Sequence, residues 1–121
     1  MKKIYVIHGT NFDFERELYA PLKKIVEFEF IFPHVGENEV IDSKELIKNA
    51  NLVLAEVSYP STGSGIELGR AECVSVPIVA IFKKGSNVSS SIKFLTNDII
   101  EYKNFSDDLE IIKECIIEKM K

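Results

Sequence analysis

A short stretch rich in glycine, hydroxyl and carboxylate residues is the part of this sequence best suited to chemistry. It reads Ser58-Tyr59-Pro60-Ser61-Thr62-Gly63-Ser64-Gly65-Ile66-Glu67, between an apolar run and a segment with helical periodicity. The backbone N–H groups of such a loop approach an anion closely, and the positive end of a following helix favours one. An ordinary strand-to-helix turn has the same composition, so the pattern alone leaves a phosphate site and a plain turn about equally open.

Glu67 is the carboxylate of this stretch with the clearest chemical use. A helix beginning close to Gly65 places Glu67 in its first turn, where the helix dipole favours an ionised side chain. A positioned, ionised carboxylate is a potential nucleophile. The alternatives are a simple helix-start charge or an ion pair with Arg70, and on the residues alone these are the more common roles.

Three further titratable residues lie near the ends of predicted strands, close to the same stretch. Glu56 ends an apolar run, but the alternation of side chains along a strand can point it away from Glu67. His8 and His34 each follow a predicted strand, where a lone histidine is more often structural than catalytic. Neither histidine has a second ligand at metal-binding spacing, so we expect no metal and no cofactor.

Strand and helix patterns alternate along the whole chain, and these elements must position the chemistry. Strands are predicted over residues 3–7, 28–32, 52–57, 77–82 and 99–102, and helices over 13–26, 41–49, about 65–73, briefly after 89, and from about 106. This alternation predicts a doubly wound α/β fold, with about five parallel strands and helices on both faces. Such folds bind ligands beyond the carboxyl ends of the strands, near the point where strand order reverses.

Length and composition fit a single domain over residues 1–121. The net charge of -4 and the scattered lysines offer no basic stripe, which argues against a nucleic-acid polymer as partner. Cys73 falls in an apolar helical pattern and is predicted to be a buried, reduced thiol. We find no apolar run long enough for a signal peptide or a membrane span, so we expect no membrane association and a cytoplasmic location.

The order and spacing of residues 55–71 are distinctive. The string is Ala55-Glu56-Val57, then Pro60-Ser61, Gly63, Gly65 and Glu67-Leu68-Gly69-Arg70-Ala71, with weaker matches at Tyr5, Gly9-Thr10, His34 and Ser90. On these residues the chain resembles the nucleoside 2-deoxyribosyltransferase superfamily, and most closely its branch of 2'-deoxynucleoside 5'-phosphate N-hydrolases. The weaker match extends over most of the chain.

The resemblance implies a catalytic glutamate, which by match is Glu67. In that family this residue attacks the anomeric carbon of a deoxyribose and displaces the base, after which water or a second base takes the sugar. Tyr5 in the first strand is implied as a second catalytic residue. Ser43 stands where the family usually carries an aspartate that helps protonate the leaving base, and Asp42 next to it is the candidate for that role.

The resemblance also implies contacts with a small deoxynucleotide or deoxynucleoside substrate. Ser61 corresponds to a phosphate-binding serine, where members that act on free nucleosides tend to have a carboxylate. Ser90 corresponds to a serine that crosses a dimer interface, so a homodimer is the implied active unit. The full set of implied substrate contacts is Gly9, Thr10, Asn11, His34, Ser61, Gly63, Gly65 and Ser90.

Other functions stay open at this point. Asn11 and Phe12 stand where the hydrolases have a basic residue, which removes one phosphate partner. A deoxyribosyltransferase that exchanges bases and a non-catalytic nucleotide-binding module are the two main alternatives. A phosphoribohydrolase of the cytokinin-activating type ranks lower, because its usual Gly-Gly-x-Gly-Thr string is absent.

Overall fold

The computed structural model describes residues 1–33 and 42–121, which form a five-stranded parallel sheet. The strands are Lys3–His8 (β1), Glu29–Ile31 (β2), Leu52–Glu56 (β3), Ile78–Lys83 (β4) and Ile99–Tyr102 (β5). Their spatial order is β2-β1-β3-β4-β5, and every neighbouring pair is parallel. The predicted doubly wound α/β fold is confirmed, with the strand order of flavodoxin-like sheets.

Helical segments connect the strands on both faces of the sheet. A π-helical turn at Glu15–Tyr19 continues into the short helix Ala20–Leu22 (α1), and a 3₁₀ turn spans Ser90–Phe94. The remaining helices are Lys44–Lys48 (α2), Thr62–Cys73 (α3) and Phe105–Lys119 (α4). Within the described residues, no helix is both long and apolar enough to cross a membrane.

The sheet separates two apolar layers, because successive strand residues point to opposite faces. One layer packs against α1 and α4, and the other packs against α2 and α3. The near-continuous apolar runs of β1 and β3 follow from this double coverage. The first layer contains Ile4, Val6, Leu52 and Leu54, and the second contains Tyr5, Ile7, Val53 and Ala55.

Helix α3 begins at Thr62, earlier than the predicted start near Gly65. Ser61 caps the helix, since its hydroxyl oxygen accepts a hydrogen bond from the backbone N–H of Ser64 at 3.2 Å. This cap stabilises a helix start that includes Gly63 and Gly65, despite the low helix propensity of glycine. The prediction of a glycine-rich loop was therefore wrong, and Glu67 lies in the second turn of α3 and not in the first.

The thiol of Cys73 is exposed, contrary to the prediction of a buried cysteine. Helix α3 packs on the sheet through Leu68 and Ala71, which are buried. Cys73 is the last residue of the helix and lies off that packed face.

Candidate active site

The loops that follow β1 and β3 touch at the point where strand order reverses. A Cβ atom on Gly9 would lie 2.2 Å from the carbonyl oxygen of Tyr59, so only glycine allows this approach. The ring of Phe12 stacks on the ring of Tyr59, with centroids 4.4 Å apart. Phe12 therefore holds the two loops together by aromatic packing.

Tyr5 and Glu67 form the central contact of the site. The Tyr5 hydroxyl donates a hydrogen bond to Glu67 Oε2 at 2.5 Å. Tyr5 is fully buried in β1, on the face of the sheet that α3 covers, and Glu67 is partly exposed. Burial, and then the adjacent Glu67 carboxylate, raise the pKa of Tyr5 well above its ordinary value, so the phenol stays protonated and remains a donor.

Arg70, three residues after Glu67 on α3, contacts the two residues that precede α2. Its Nη1 atom donates to Asp42 Oδ1 at 3.0 Å and to Ser43 Oγ at 3.3 Å. Ser43 is only 3% exposed. Arg70 thus pairs with Asp42, and the alternative in which it neutralises Glu67 is not the arrangement found.

A cavity of about 480 Å³ lies between the start of α3 and the 3₁₀ turn. Hydroxyl groups line it from two directions: Ser61 and Ser64 on the α3 side, Ser89 and Ser91 on the other. Glu67 and Ser90 are not among the lining residues. The cavity therefore lies beside the Tyr5 and Glu67 pair and not over it.

The other predicted substrate contacts are placed as follows. Thr10 and Asn11 are exposed in the loop after β1. Gly63 is exposed on the first turn of α3, and a Cβ there would meet no atom within 4 Å. His34 lies outside the described residues. The roles of these four residues as substrate contacts stay predictions.

Glu56 belongs to the opposite face of the sheet. Its carboxylate accepts hydrogen bonds from the Ser58 backbone N–H at 2.5 Å, from the Ser58 hydroxyl at 3.0 Å, and from the hydroxyl of Tyr102. Tyr102 packs in the layer under α1 and α4, whereas Tyr5 packs under α2 and α3. Glu56 is therefore a buried anchor for the loop after β3 and does not pair with Glu67.

The buried Glu56 carboxylate should make stability depend on pH. Burial raises the pKa of Glu56, so the folded state holds the proton more tightly than the unfolded state. The contribution of Glu56 to stability is fully present at pH values below its pKa in the unfolded state. This contribution is lost as the pH rises through its pKa in the folded state. We expect the free energy of unfolding of the wild type, minus that of Glu56→Gln, to fall as pH rises from about 4 to about 8. Urea denaturation at several pH values measures this difference, and a flat or rising curve would contradict it.

His8 has the structural role that is more common for a lone histidine. It is 3% exposed, and its ring nitrogens lie 2.6 Å from the carbonyl oxygen of Gly9 and 2.5 Å from the hydroxyl of Tyr19. Its ring packs against Phe12 and Phe14. Across residues 1–33 and 42–121, we find no cluster of three or more histidine, cysteine, aspartate or glutamate residues that could hold a metal ion.

Sequence reasoning missed two features of this site. Arg70 was considered only as a partner for Glu67 three residues away, because local spacing says nothing about contacts with residues 42 and 43. The serines on either side of Ser90 were not singled out, although a run of three serines at Ser89, Ser90 and Ser91 was a visible signal.

Fold and site together define a flavodoxin-like α/β protein that holds a glutamate against a buried tyrosine beside the strand-order reversal. No family model matches the chain. A protein of Syntrophotalea carbinolica with the provisional name 2'-deoxynucleoside 5'-phosphate N-hydrolase 1 is 33% identical over 75 residues, which are 60% of this chain and 53% of that protein. The 5-hydroxymethyl-dUMP N-hydrolase of Mus musculus is 40% identical over 53 residues, which are 42% of this chain and 31% of that protein.

The chain thus spans about half the length of the first of these relatives and about a third of the second. Among solved structures, it is similar to the CMP N-glycosidase BcmB of Clostridium botulinum, with a TM-score of 0.68, 18% identity, and coverage of 93% of this chain and 99% of that one. At 18% sequence identity, this structural similarity shows that the two proteins share a fold. Together these matches confirm the resemblance to the superfamily branch that the sequence indicated.

Proposed function

We propose that this protein is an N-glycoside hydrolase that acts on 2'-deoxynucleoside 5'-monophosphates and releases a free base and deoxyribose 5-phosphate. The observation that carries this proposal is the hydrogen bond from the buried Tyr5 hydroxyl to Glu67 Oε2. The names of the relatives, which are N-hydrolases of deoxynucleotides, support the substrate class.

The reaction follows from a carboxylate placed under a sugar ring. Glu67 forms a bond to the anomeric carbon while the glycosidic C–N bond breaks, and the base leaves with the electron pair. The carboxylate also stabilises the positive charge that develops on the sugar. Water then attacks the anomeric carbon, its hydroxyl group stays on the sugar, its proton balances the departed base, and Glu67 is released.

Tyr5 orients the nucleophile in this scheme. It engages Oε2 of Glu67, so the attacking atom is Oε1. Its raised pKa keeps the phenol protonated through neutral pH, which maintains the hydrogen bond in every turnover. Asp42 is held at Oδ1 by Arg70, and its predicted assistance to the leaving base is part of this proposal.

The cavity at the start of α3 is the proposed phosphate site. Ser61 and Ser64 lie at the positive end of the helix, where hydroxyl groups and the helix dipole both favour an anion. Ser90 is exposed, whereas its neighbours Ser89 and Ser91 line the cavity of their own chain. This arrangement supports the proposal that Ser90 reaches toward a second copy in a homodimer.

Ser61→Asp separates the capping role of Ser61 from phosphate binding. Aspartate is as good an N-cap as serine, so we expect an unchanged melting temperature. Its charge should repel a substrate phosphate, raising KM for the monophosphate at least about tenfold with a much smaller change for the free nucleoside. Steady-state kinetics on both substrates measure this, with Ser61→Ala as the uncharged comparison. An equal rise for both substrates would place the phosphate elsewhere.

The direct test is base release from the four common deoxynucleoside monophosphates and their unphosphorylated nucleosides, followed by chromatography. Release confined to the monophosphates supports the hydrolase and identifies the base. If an added free base is incorporated into new nucleotide, the protein is a deoxyribosyltransferase, which uses the same glycosyl ester. Saturable nucleotide binding without any release would instead support a non-catalytic binding module.

A further inference from the structure

A second cavity, of about 320 Å³, opens at the carboxyl edge of the sheet. Its walls include Tyr102 and Phe105, which belong to the apolar layer under α1 and α4, so it lies on the opposite face of the sheet from Tyr5. Doubly wound sheets bind ligands at this edge, and the volume is within the range of small-molecule sites. We propose that this cavity is a second nucleotide site, in which cationic side chains bind the phosphates and aromatic rings bind the base.

The charged side chains that line the second cavity are mostly cationic. Among the residues described, Arg16, Lys83 and Lys103 line it together with one carboxylate, Glu17, although the chain as a whole has a net charge of -4. Like charges gathered in a concave site concentrate the local potential, which attracts an ion of opposite sign. Three cations against one carboxylate leave an excess of two positive charges, which suits the multiply charged phosphates of a nucleotide.

These cations remain available to a ligand. Lys103 is exposed, and its side chain forms no ion pair with any other residue in the described ranges. Lys83 Nζ lies 4.0 Å from Glu17 Oε1, and both side chains are more than a third exposed. Arg16 uses Nε to contact the exposed Asp13, at 3.0 Å, which leaves the donors on its two Nη groups for a phosphate. Solvent-exposed ion pairs of this kind are weak, so an anion with several charges competes with them.

Two aromatic rings suit the second cavity to a ligand that carries a planar ring. Phe12 and Tyr59 line it, and both are half-buried, so part of each side chain is accessible. The two rings stack on each other, with centroids 4.4 Å apart and an interplanar angle of 13°. Because this stack already holds both side chains in place, little side-chain freedom is lost when a base packs against them. An inorganic anion would use the cations alone, whereas a nucleotide uses both groups.

The second cavity is adjacent to the cavity at the start of α3 but is not part of it. Tyr59 lines both cavities, and Tyr102 in the second one donates a hydrogen bond to the Glu56 carboxylate, which lines the other. These three residues form a shared wall, and the three cations line only the second cavity. Because Glu67 does not line the second cavity, this inference is independent of the function proposed above.

A site-resolved NMR titration tests the proposal, with ADP as the probe and the backbone amide signals of the whole chain as the readout. We expect saturable shifts at Lys83, Lys103 and Ser106, larger than those at Ser64 and Gly65 beside the other cavity. Shifts confined to Ser64 and Gly65, or no saturable shift at all, would overturn the proposal.

A charge-removing variant tests the phosphate contacts. Lys103→Gln should weaken ADP binding by at least about tenfold, as expected for the loss of a hydrogen bond to a charged group. Lys48→Gln is the matched control, because it removes an exposed lysine at the end of α2, on the other face of the sheet, and should leave the Kd unchanged. Equal weakening by both variants would show only a general attraction to positive charge and would rule out a site in this cavity.

Pyrophosphate separates a nucleotide site from a simple anion site. We expect ADP to bind at least about tenfold more tightly than pyrophosphate, because stacking of the base on aromatic rings adds to the phosphate contacts. Phe12→Leu should remove most of this difference and retain pyrophosphate binding, which also shows that the variant is folded. Equal affinities of the wild type for the two probes would contradict the assignment to a nucleotide. None of these measurements requires turnover, so they stay valid if the protein releases no base.

Discussion

Glu67→Gln is expected to lower kcat for base release by at least about 1,000-fold, a loss typical of removing a nucleophile. Glutamine keeps the shape of the side chain and still accepts the Tyr5 hydrogen bond, which is 2.5 Å long in the wild type. It lacks the charge that forms the glycosyl ester and stabilises the developing cation. Nucleotide binding, measured by calorimetry, should change little, since the proposed phosphate site is the separate cavity at the start of α3.

A matched control keeps this result specific. Glu110→Gln makes the same chemical change on an exposed position of α4, on the opposite face of the sheet, and should leave kcat unaltered. If Glu67→Gln retained activity within about tenfold of the wild type, the nucleophile assignment would be wrong.

Gly9→Ala is the substitution with the largest expected effect on structure. Its new Cβ would lie 2.2 Å from the carbonyl oxygen of Tyr59, a backbone atom that cannot rotate away. Relief requires the loops after β1 and β3 to separate, at a cost of about 1–3 kcal/mol in the free energy of unfolding. Because the loop after β3 leads into α3, we also expect base release to slow.

The comparison for this variant is Gly69→Ala. A Cβ at Gly69 meets nothing within 4 Å, so alanine should stabilise helix α3 by up to about 1 kcal/mol. Urea denaturation of the two variants is therefore expected to give changes of opposite sign. A Gly9→Ala protein as stable as the wild type would show that the two loops do not meet in solution.

The sheet was predictable from sequence because its signal is local. The apolar runs that became β1 and β3 are buried on both faces, and that double burial is what removes the alternation of polar residues. The start of α3 was placed too late, because the cap from Ser61 was not considered. The serine at position 61 was the local signal, because its side chain is able to accept a hydrogen bond from the backbone N–H three residues later.

The sequence by itself determined the fold class, since the alternation of strand and helix patterns depends on residue type and short spacing, and the family resemblance made Glu67 the candidate nucleophile. Only the tertiary structure decided the partners of Glu67 and of its neighbour Arg70. Tyr5 and Glu67 are 62 positions apart in the chain, and Arg70 and Asp42 are 28 apart. Such pairs meet because β1 lies beside β3 and α3 packs over β1, and no local pattern encodes which side chains then fall within hydrogen-bond distance.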